Sequence, residues 1–446
     1  MTAAARTLRR LLPVLLVLAV VPAAQPAPQA ARPSTPRAAR AAAPPPGLAA
    51  ALGRAAGAAK ISTLGIHVRD VATGAPVFAR RADDRFILAS NTKLFTTAAA
   101  LEVLGPGYFF ETELAMRGTL GDDGTLDGDL AVIGGGDPLF SWRLPNGDPY
   151  FVFRAWAKAL AERGVRQVDG ALFLDHGLFD DQRTHPDWNP DKYLEWYQVP
   201  VDSLGFFENV VRVKALPAAR AGEPARVVTE PGLGYFRVEG EMRTLPSWSG
   251  NQMIVHRPAG SEELRVRGGV YLRTDKLEKP ISVDDPVALF GAALRQALAA
   301  YGVRIAGPTR PAADLPGLVW EPVAVHRAAL ADVLEVTNHE SNNLMADTLL
   351  KLIGAERCGA GTWENGSRAV EEVVARIGGL DVERFTLVDG SGLARGNRMA
   401  PADVTRFLAG AYRRPWAGTY LASLPTGGSD PSSLRDRLVD LRGRFR

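Results

Sequence analysis

Two kinds of hydrophobic periodicity stand next to each other in the first quarter of this 446-residue chain. Residues 64–70 and 76–80 alternate between apolar and polar positions, and the short polar stretch between them is typical of a turn. From Asn91 the pattern becomes a nearly continuous apolar run that stops at Gly105. The sequence therefore predicts a hairpin of two half-buried strands, followed by a buried helix with Ser90 at its N-cap.

The middle of the chain, residues 117–283, is rich in glycine, aspartate, proline and aromatic residues. One amphipathic helix is predicted there, over residues 151–163, and short strands and loops are predicted elsewhere. The helical period returns after residue 284, where Asp285-Pro286 is a typical helix start. Further helices are predicted over residues 328–336, 342–353, 363–377 and 401–412. The pattern indicates a mixed α/β (α+β) protein with a largely β insertion between two helical parts.

The N-terminus has the layout of a targeting segment. A basic stretch at residues 6–10 precedes an apolar run over residues 11–21, which is too short to span a bilayer comfortably. We interpret residues 1–30 as a secretory signal peptide and residues 31–50, which are rich in proline and alanine, as a disordered linker. The alternative is an uncleaved anchor. Either interpretation predicts an exported protein, in the periplasm, the cell wall or the extracellular space.

Composition narrows the function classes. The formal net charge is +3, from 52 basic and 49 acidic residues, which does not indicate a nucleic-acid-binding surface. Cys358 is the only cysteine, so an intramolecular disulfide is excluded. The six histidines show no paired zinc spacing, and we expect neither a metal nor a cofactor.

The first candidate chemical motif is Ser90-Asn91-Thr92-Lys93, at the start of the predicted buried helix. A serine hydroxyl is a poor nucleophile at neutral pH and needs a base beside it. Positions i and i+3 share one helix face, so Lys93 is placed to serve as that base if burial lowers its pKa. The alternative interpretation is a helix-capping serine with a surface lysine.

The second candidate motif is Ser341-Asn342-Asn343, at the start of another apolar helix. Serine and asparagine are common at helix starts for structural reasons alone, so this motif is weak by itself. The two motifs in this order, each opening an apolar helix, match the arrangement in penicillin-binding proteins and class A β-lactamases.

Several longer segments extend this resemblance. They are residues 134–138, 196–204, 340–347, 361–363 and 389–397. On these segments and the two motifs, the chain resembles the low-molecular-mass D-alanyl-D-alanine carboxypeptidases of the S13 peptidase family, also called class C penicillin-binding proteins. The resemblance implies a β-lactamase/transpeptidase-like domain, an antiparallel sheet covered by helices, formed by residues 51–116 and 284–446, with residues 117–283 inserted.

The same resemblance implies roles for four residues. Ser90 is expected to be the acylated nucleophile and Lys93 its base. Ser341 is expected to relay a proton to the leaving amine, and Asn343 to hydrogen-bond the substrate amide. The implied activity is carboxypeptidase and endopeptidase cleavage of peptidoglycan stem peptides, and β-lactams are expected to trap the same serine. Asn342 replaces the aspartate often found at that position, and its side chain is expected to face away from the reaction.

The chain departs from the family pattern in its third motif, because no Lys-Thr-Gly or Lys-Ser-Gly occurs. From this we expect a chain shortened before the last sheet strands, with impaired turnover. Two other functions stay open at this point. One is a non-enzymatic relative that binds the cell wall, and the other is a β-lactamase.

Overall fold

The computed structural model describes residues 47–258, 260–311, 319–428, 432–436 and 439. The predicted signal peptide and most of the predicted linker lie outside the described residues. The described chain divides into two compact units, one ending at Arg81 and one beginning at Ala82. No helix in the described part of the chain has the length and apolar character that crossing a membrane requires.

The first unit contains one helix and one hairpin. Helix α1 spans Leu48–Ala58, so the last three residues assigned to the linker are helical instead. Strands β1 (Ile66–Arg69) and β2 (Pro76–Arg80) pair antiparallel, with Ile66 opposite Arg80. The predicted hairpin is confirmed.

The second unit combines a mixed sheet, smaller sheets and a group of helices. The helices are α2 (Thr92–Leu104), α3 (Phe151–Glu162), α4 (Pro286–Ala300), α5 (Leu330–His339), α6 (Asn343–Cys358), α7 (Trp363–Gly378), α8 (Pro401–Ala411) and α9 (Ala417–Ser423). All of the predicted helices are present, and α9 was not predicted. The predicted start of α4 is confirmed, because the Asp285 carboxylate accepts hydrogen bonds from the amides of Val287 and Ala288 and Pro286 follows at the first helical position.

The strands of the second unit lie mostly in the middle of the chain. They are β3 (Phe86–Ile87), β4 (Phe109–Leu120), β5 (Thr125–Ile133), β6 (Gln167–Val168), β7 (Leu172–Asp175), β8 (Val210–Leu216), β9 (Arg226–Glu230), β10 (Arg237–Leu245), β11 (Gln252–His256), β12 (Glu263–Tyr271), β13 (Leu277–Ser282), β14 (Arg304–Ile305), β15 (Thr309–Pro311), β16 (Glu321–Ala329) and β17 (Arg398–Met399). The described part of residues 117–283 contains one α-helix, as predicted.

The largest sheet has the order β14-β6-β5-β4-β16, with β7 beside β5 and β15 beside β7. Its β4 pairs antiparallel with β5 and β16, whereas β6 and β7 run parallel to β5. Two three-stranded sheets, β10-β12-β11 and β13-β8-β9, lie in the predicted insertion. Parallel pairing was not predicted, because it joins strands that are distant in sequence. Strand β4 continues through residue 116, and the predicted boundaries of the insertion stay a prediction.

Helix α2 forms the centre of the helical group. Its residues Phe95, Ala98, Ala99 and Leu101 are almost completely buried, and the Phe95 ring lies 4.7 Å from that of Phe407 on α8. A helix that is apolar on all sides is stable only inside a core. The start of α2, where the first motif lies, is therefore anchored by the packing of its remaining turns.

Candidate active site

Ser90 lies in a short 3-10 turn, Ala89–Asn91, that leads directly into α2. The prediction that Ser90 is the N-cap was wrong, because Asn91 occupies that position. Ala89 has a positive φ of 47°, a conformation that side chains with a Cβ rarely adopt. The turn tightens the chain before the helix begins and leaves the Ser90 side chain exposed.

Lys93 lies one turn into the helix and is buried, with 2% of its surface exposed. Its Nζ donates to three oxygens, at 3.3 Å to Ser90 Oγ, 2.7 Å to Asn343 Oδ1 and 2.8 Å to the Ser391 carbonyl. These three acceptors use all the protons of an ammonium group. The alternative of a surface lysine is excluded by this burial.

The burial of Lys93 favours its neutral amine, which is the form that can act as a base. Burial lowers the pKa of Lys93 to about 8, although the carboxylates of Asp347 and Asp389 oppose this shift. A lysine with an ordinary pKa has almost no neutral amine at pH 7, whereas a pKa near 8 leaves roughly a tenth of it neutral. The geometry thus gives Ser90 an adjacent amine that can accept its proton.

The loop of residues 389–397 holds the third partner of Lys93. Asp347, on α6 one turn beyond Asn343, accepts hydrogen bonds from the amides of Gly390 at 2.8 Å and Ser391 at 2.9 Å. These bonds fix the two peptides that precede the Ser391 carbonyl, which accepts a hydrogen bond from Lys93. Burial raises the pKa of Asp347 well above its usual range, and the nearby Asp389 raises it further, while Lys93 lowers it.

Asp389 fixes the rest of this loop. Its carboxylate accepts hydrogen bonds from the Trp188 indole at 3.0 Å, the Gly392 and Ala394 amides at 2.7 Å each, and the Asn397 amide group at 2.8 Å. Sequence reasoning assigned no site role to Asp347 or Asp389. The available signal was the Asp-Gly-Ser-Gly run at residues 389–392, whose small residues permit a close approach of two backbones.

Gly392 is the point of closest approach between this loop and the first motif. It has a φ of 84°, and a Cβ added there would lie 1.8 Å from the Ala89 carbonyl oxygen. Only glycine fits such a site without displacing one of the two segments. The loop therefore supports both sides of the candidate nucleophile, through Lys93 and through the turn before Ser90.

The second motif lies where α5 ends and α6 begins. Asn343, the first residue of α6, accepts from Lys93 and donates through Nδ2 to the Tyr197 carbonyl at 2.7 Å. Asn342 is the N-cap, and its Oδ1 accepts from the Met345 amide at 3.1 Å. Asn342 Nδ2 donates to Glu208 Oε2 at 3.0 Å, and the expectation that this side chain faces away from the reaction stays a prediction.

Ser341 is half-buried and has a positive φ of 59°. Within the described part of the chain its hydroxyl has no hydrogen-bond partner, so it is available to a bound molecule. The structure thus joins Ser90, Lys93 and Asn343 in one hydrogen-bonded cluster and places Ser341 two residues before Asn343.

The described residues contain no cluster of histidine, cysteine and carboxylate side chains that could hold a metal ion. Two histidines pair with carboxylates instead, His176 with Asp202 and His326 with Asp137, at 3.3 Å each. Cys358 is exposed at the end of α6.

The chain is similar in sequence to known proteins. A D-alanyl-D-alanine carboxypeptidase of Actinomadura sp. (strain R39) is 36% identical over 380 residues, which are 82% of this chain and 68% of that relative. D-alanyl-D-alanine carboxypeptidase DacB of Haemophilus influenzae is 23% identical over 334 residues, or 72% of this chain and 66% of the relative. The chain therefore spans about two thirds of the length of both curated relatives.

A solved structure shares the fold. The crystal structure of penicillin binding protein 4 (dacB) from Haemophilus influenzae superposes with a TM-score of 0.71 at 21% sequence identity, covering 85% of this chain and 82% of that one. Residues 48–444 match the family described as the D-Ala-D-Ala carboxypeptidase 3 (S13) family. With that match over most of its length, the chain belongs to the S13 peptidase family.

Proposed function

We propose that this protein is a serine D-alanyl-D-alanine carboxypeptidase and endopeptidase that acts on peptidoglycan stem peptides. The observation that carries the proposal is the exposed Ser90 hydroxyl 3.3 Å from the buried Lys93 amine. Both the Actinomadura relative and the Haemophilus relative bear the name D-alanyl-D-alanine carboxypeptidase.

The reaction follows from the arrangement of these groups. Ser90 Oγ forms a bond to the carbonyl carbon of the D-Ala-D-Ala peptide while its proton passes to the neutral Lys93 amine. The bond from carbon to nitrogen then breaks, and the departing nitrogen takes a proton from Ser341 Oγ, which is replenished from the Lys93 ammonium. Water subsequently hydrolyses the ester on Ser90 and releases the shortened peptide.

Asn343 is proposed to contact both the base, Lys93, and the substrate. Its Oδ1 orients Lys93, and its Nδ2 is the donor for a substrate carbonyl. Asn343 Nδ2 donates to the Tyr197 carbonyl at 2.7 Å. An asparagine amide group carries two N–H donors, so one can stay on the Tyr197 carbonyl while the other bonds a substrate carbonyl.

β-Lactams are proposed to acylate the same serine. The ring amide presents a carbonyl to Ser90 as the peptide does, and a solved relative that shares the fold has been crystallised with a β-lactam. The protein is also proposed to act outside the cytoplasmic membrane, where peptidoglycan is found. N-terminal sequencing of the exported form is expected to place its first residue between Ala23 and Ala50.

The test uses the full chain and two substrates. We expect release of D-alanine from a peptide ending in D-Ala-D-Ala, and a single penicillin adduct on Ser90 in intact-mass analysis. Adduct formation without any turnover of the peptide would favour a cell-wall-binding relative instead. Rapid hydrolysis of a chromogenic cephalosporin would favour a β-lactamase. Failure of both acylation and peptide release would rule out the proposed function.

A further inference from the structure

Ser341 lies between Glu340 and Asn342, whose side chains are linked to each other through Arg143 and Glu208. We call these four side chains the Ser341 clamp. Arg143 donates from its two terminal nitrogens to the two oxygens of Glu340, at 2.8 Å each. The Arg143 Nε also donates to Glu208 Oε1. Glu208 Oε2 in turn accepts from Asn342 Nδ2 at 3.0 Å. Because Glu340 and Asn342 are the neighbours of Ser341 in sequence, these bonds close a ring that passes through the Ser341 backbone.

The backbone inside the clamp is strained. Ser341 has a φ of 59° and Glu208, across the ring, has a φ of 53°. Residues with a Cβ avoid this left-handed region unless the surroundings hold them there. A fork of two parallel bonds from a guanidinium to a carboxylate fixes orientation as well as distance. The clamp is therefore suited to hold the unfavourable conformation on both sides of the ring.

The charges of the clamp depend on one another. Arg143 and Glu208 are largely buried, with 15% and 11% of their side chains exposed, whereas Glu340 is 35% exposed. Burial raises the pKa of Glu208, and Arg143 opposes that shift. Removal of Arg143 would leave a buried carboxylate without its cation, a situation that proteins tolerate poorly.

We propose that Arg143 and Glu208 are positioning residues that hold the Ser341 hydroxyl in its proton-relay orientation. Both come from the predicted insertion, so this segment sets the geometry of a motif almost 200 residues later in the chain. The inference rests on the proposed function, in which Ser341 Oγ delivers a proton to the departing nitrogen.

This role has a chemical signature that a general structural role lacks. A peptide nitrogen cannot leave as an anion, so breakage of its bond requires the proton from Ser341. A thioester with the same acyl group leaves as a thiolate, whose conjugate acid has a pKa of about 8.5, and needs no such proton. Loss of the relay orientation therefore slows peptide cleavage and spares thioester cleavage.

The experiment compares Arg143→Met, Glu340→Gln and the double variant on these two substrates. The matched control is Arg163→Met, which removes an exposed ion pair with Glu321 at 2.7 Å. We expect Arg143→Met to lower kcat on the peptide by about 10-fold to 10²-fold, the scale of a misplaced reacting group. The thioester should lose less than about 3-fold, and the double variant should lose little more than Arg143→Met, because both changes break one ring. Arg163→Met should leave both rates unchanged.

Equal losses on both substrates, or no loss on either, would overturn the proposal. If Arg143→Met fails to fold in a thermal melt, Glu340→Gln decides through the same rate ratio, since it keeps the side-chain size at a more exposed position. A wild-type protein that cleaves neither substrate would overturn the proposed function and this inference together. A wild type active on both, with an unchanged ratio in the variants, would overturn this inference alone.

Discussion

The two serine motifs make an instructive comparison, because both place a serine before a helix at a point of backbone strain. Ala89, beside Ser90, has a φ of 47°, and Ser341 itself has a φ of 59°. The supports differ. The first motif is held by buried contacts with α6 and the 389–397 loop, through Lys93 and Gly392. The second is held by charged side chains of the Ser341 clamp.

This difference indicates that the two serines need different kinds of structural support. The proposed nucleophile, Ser90, needs a nearby amine with a lowered pKa. Burial lowers the pKa of Lys93 against the opposing effect of the Asp347 and Asp389 carboxylates. The proposed relay serine, Ser341, must stay open to the substrate and cannot be buried to the same degree. The backbone conformation of Ser341 is instead fixed by the directional, charged hydrogen bonds of the Ser341 clamp. The following predictions test this division, from the largest expected effect to the smallest.

The strongest test replaces each of the two serines by alanine in a separate variant. Ser90→Ala is expected to abolish the penicillin adduct completely, because the atom that forms the bond is removed. Ser341→Ala should still form the adduct, at a reduced rate. Intact-mass analysis over time measures both. An adduct that survives Ser90→Ala would show that another residue is the nucleophile.

Lys93→Ala is expected to slow acylation by at least ~10²-fold, the usual scale for loss of a general base. Stopped-flow or mass analysis of penicillin acylation measures the rate. The control is Lys158→Ala on α3, whose side chain is 77% exposed and pairs only with Glu162 one turn later. A comparable loss in the control would point to a general effect of lysine removal.

The pH dependence of acylation should report the burial of Lys93. The amine must be neutral to accept the Ser90 proton, and its pKa is lowered to about 8 by burial. The rate should therefore rise about tenfold per pH unit below this value and level off above it. The residual acylation rate of Lys93→Ala should not rise with pH in this way. A wild-type acylation rate that levels off only near the ordinary lysine pKa of 10.5 would contradict the interpretation of Lys93 as a buried base.

Gly392→Ala tests the support of the first motif without removing a reacting group. The new Cβ would lie 1.8 Å from the Ala89 carbonyl oxygen, so the turn before Ser90 must move. We expect the free energy of unfolding to fall by about 1–3 kcal/mol, the usual cost of overpacking, and acylation to slow. Urea titration measures the first effect.

The matched control for that change is Gly418→Ala on α9, where nothing lies within 4 Å of the added atom. Alanine is the better helix former, so this variant should gain up to about 1 kcal/mol. If Gly392→Ala is as stable as the wild type and acylates at the same rate, the close approach of the two segments has no role in the site.

Much of the local structure could be predicted from the sequence. Apolar periodicity located the hairpin and the helices from α2 to α8, because those patterns depend on residues a few positions apart. The predicted N-cap was one residue too early, and the turn at Ala89 packs against Gly392, roughly 300 residues further along the chain, a contact that no local pattern reveals. Helix α9 was missed because its seven residues are too few to show a clear period.

The sequence by itself determined which chemical groups are present and, to within one residue, where each helix that carries the two motifs begins. It determined that Ser90 and Lys93 share one helix face, because that spacing is a property of any helix. Only the tertiary structure decided that Lys93 is buried and that Asn343 and the Ser391 carbonyl accept its hydrogen bonds. It also decided that Arg143 and Glu208 link the two neighbours of Ser341. Burial and long-range hydrogen bonds depend on segments that meet only when the chain folds, and these contacts turn the side chains of two short motifs into a site.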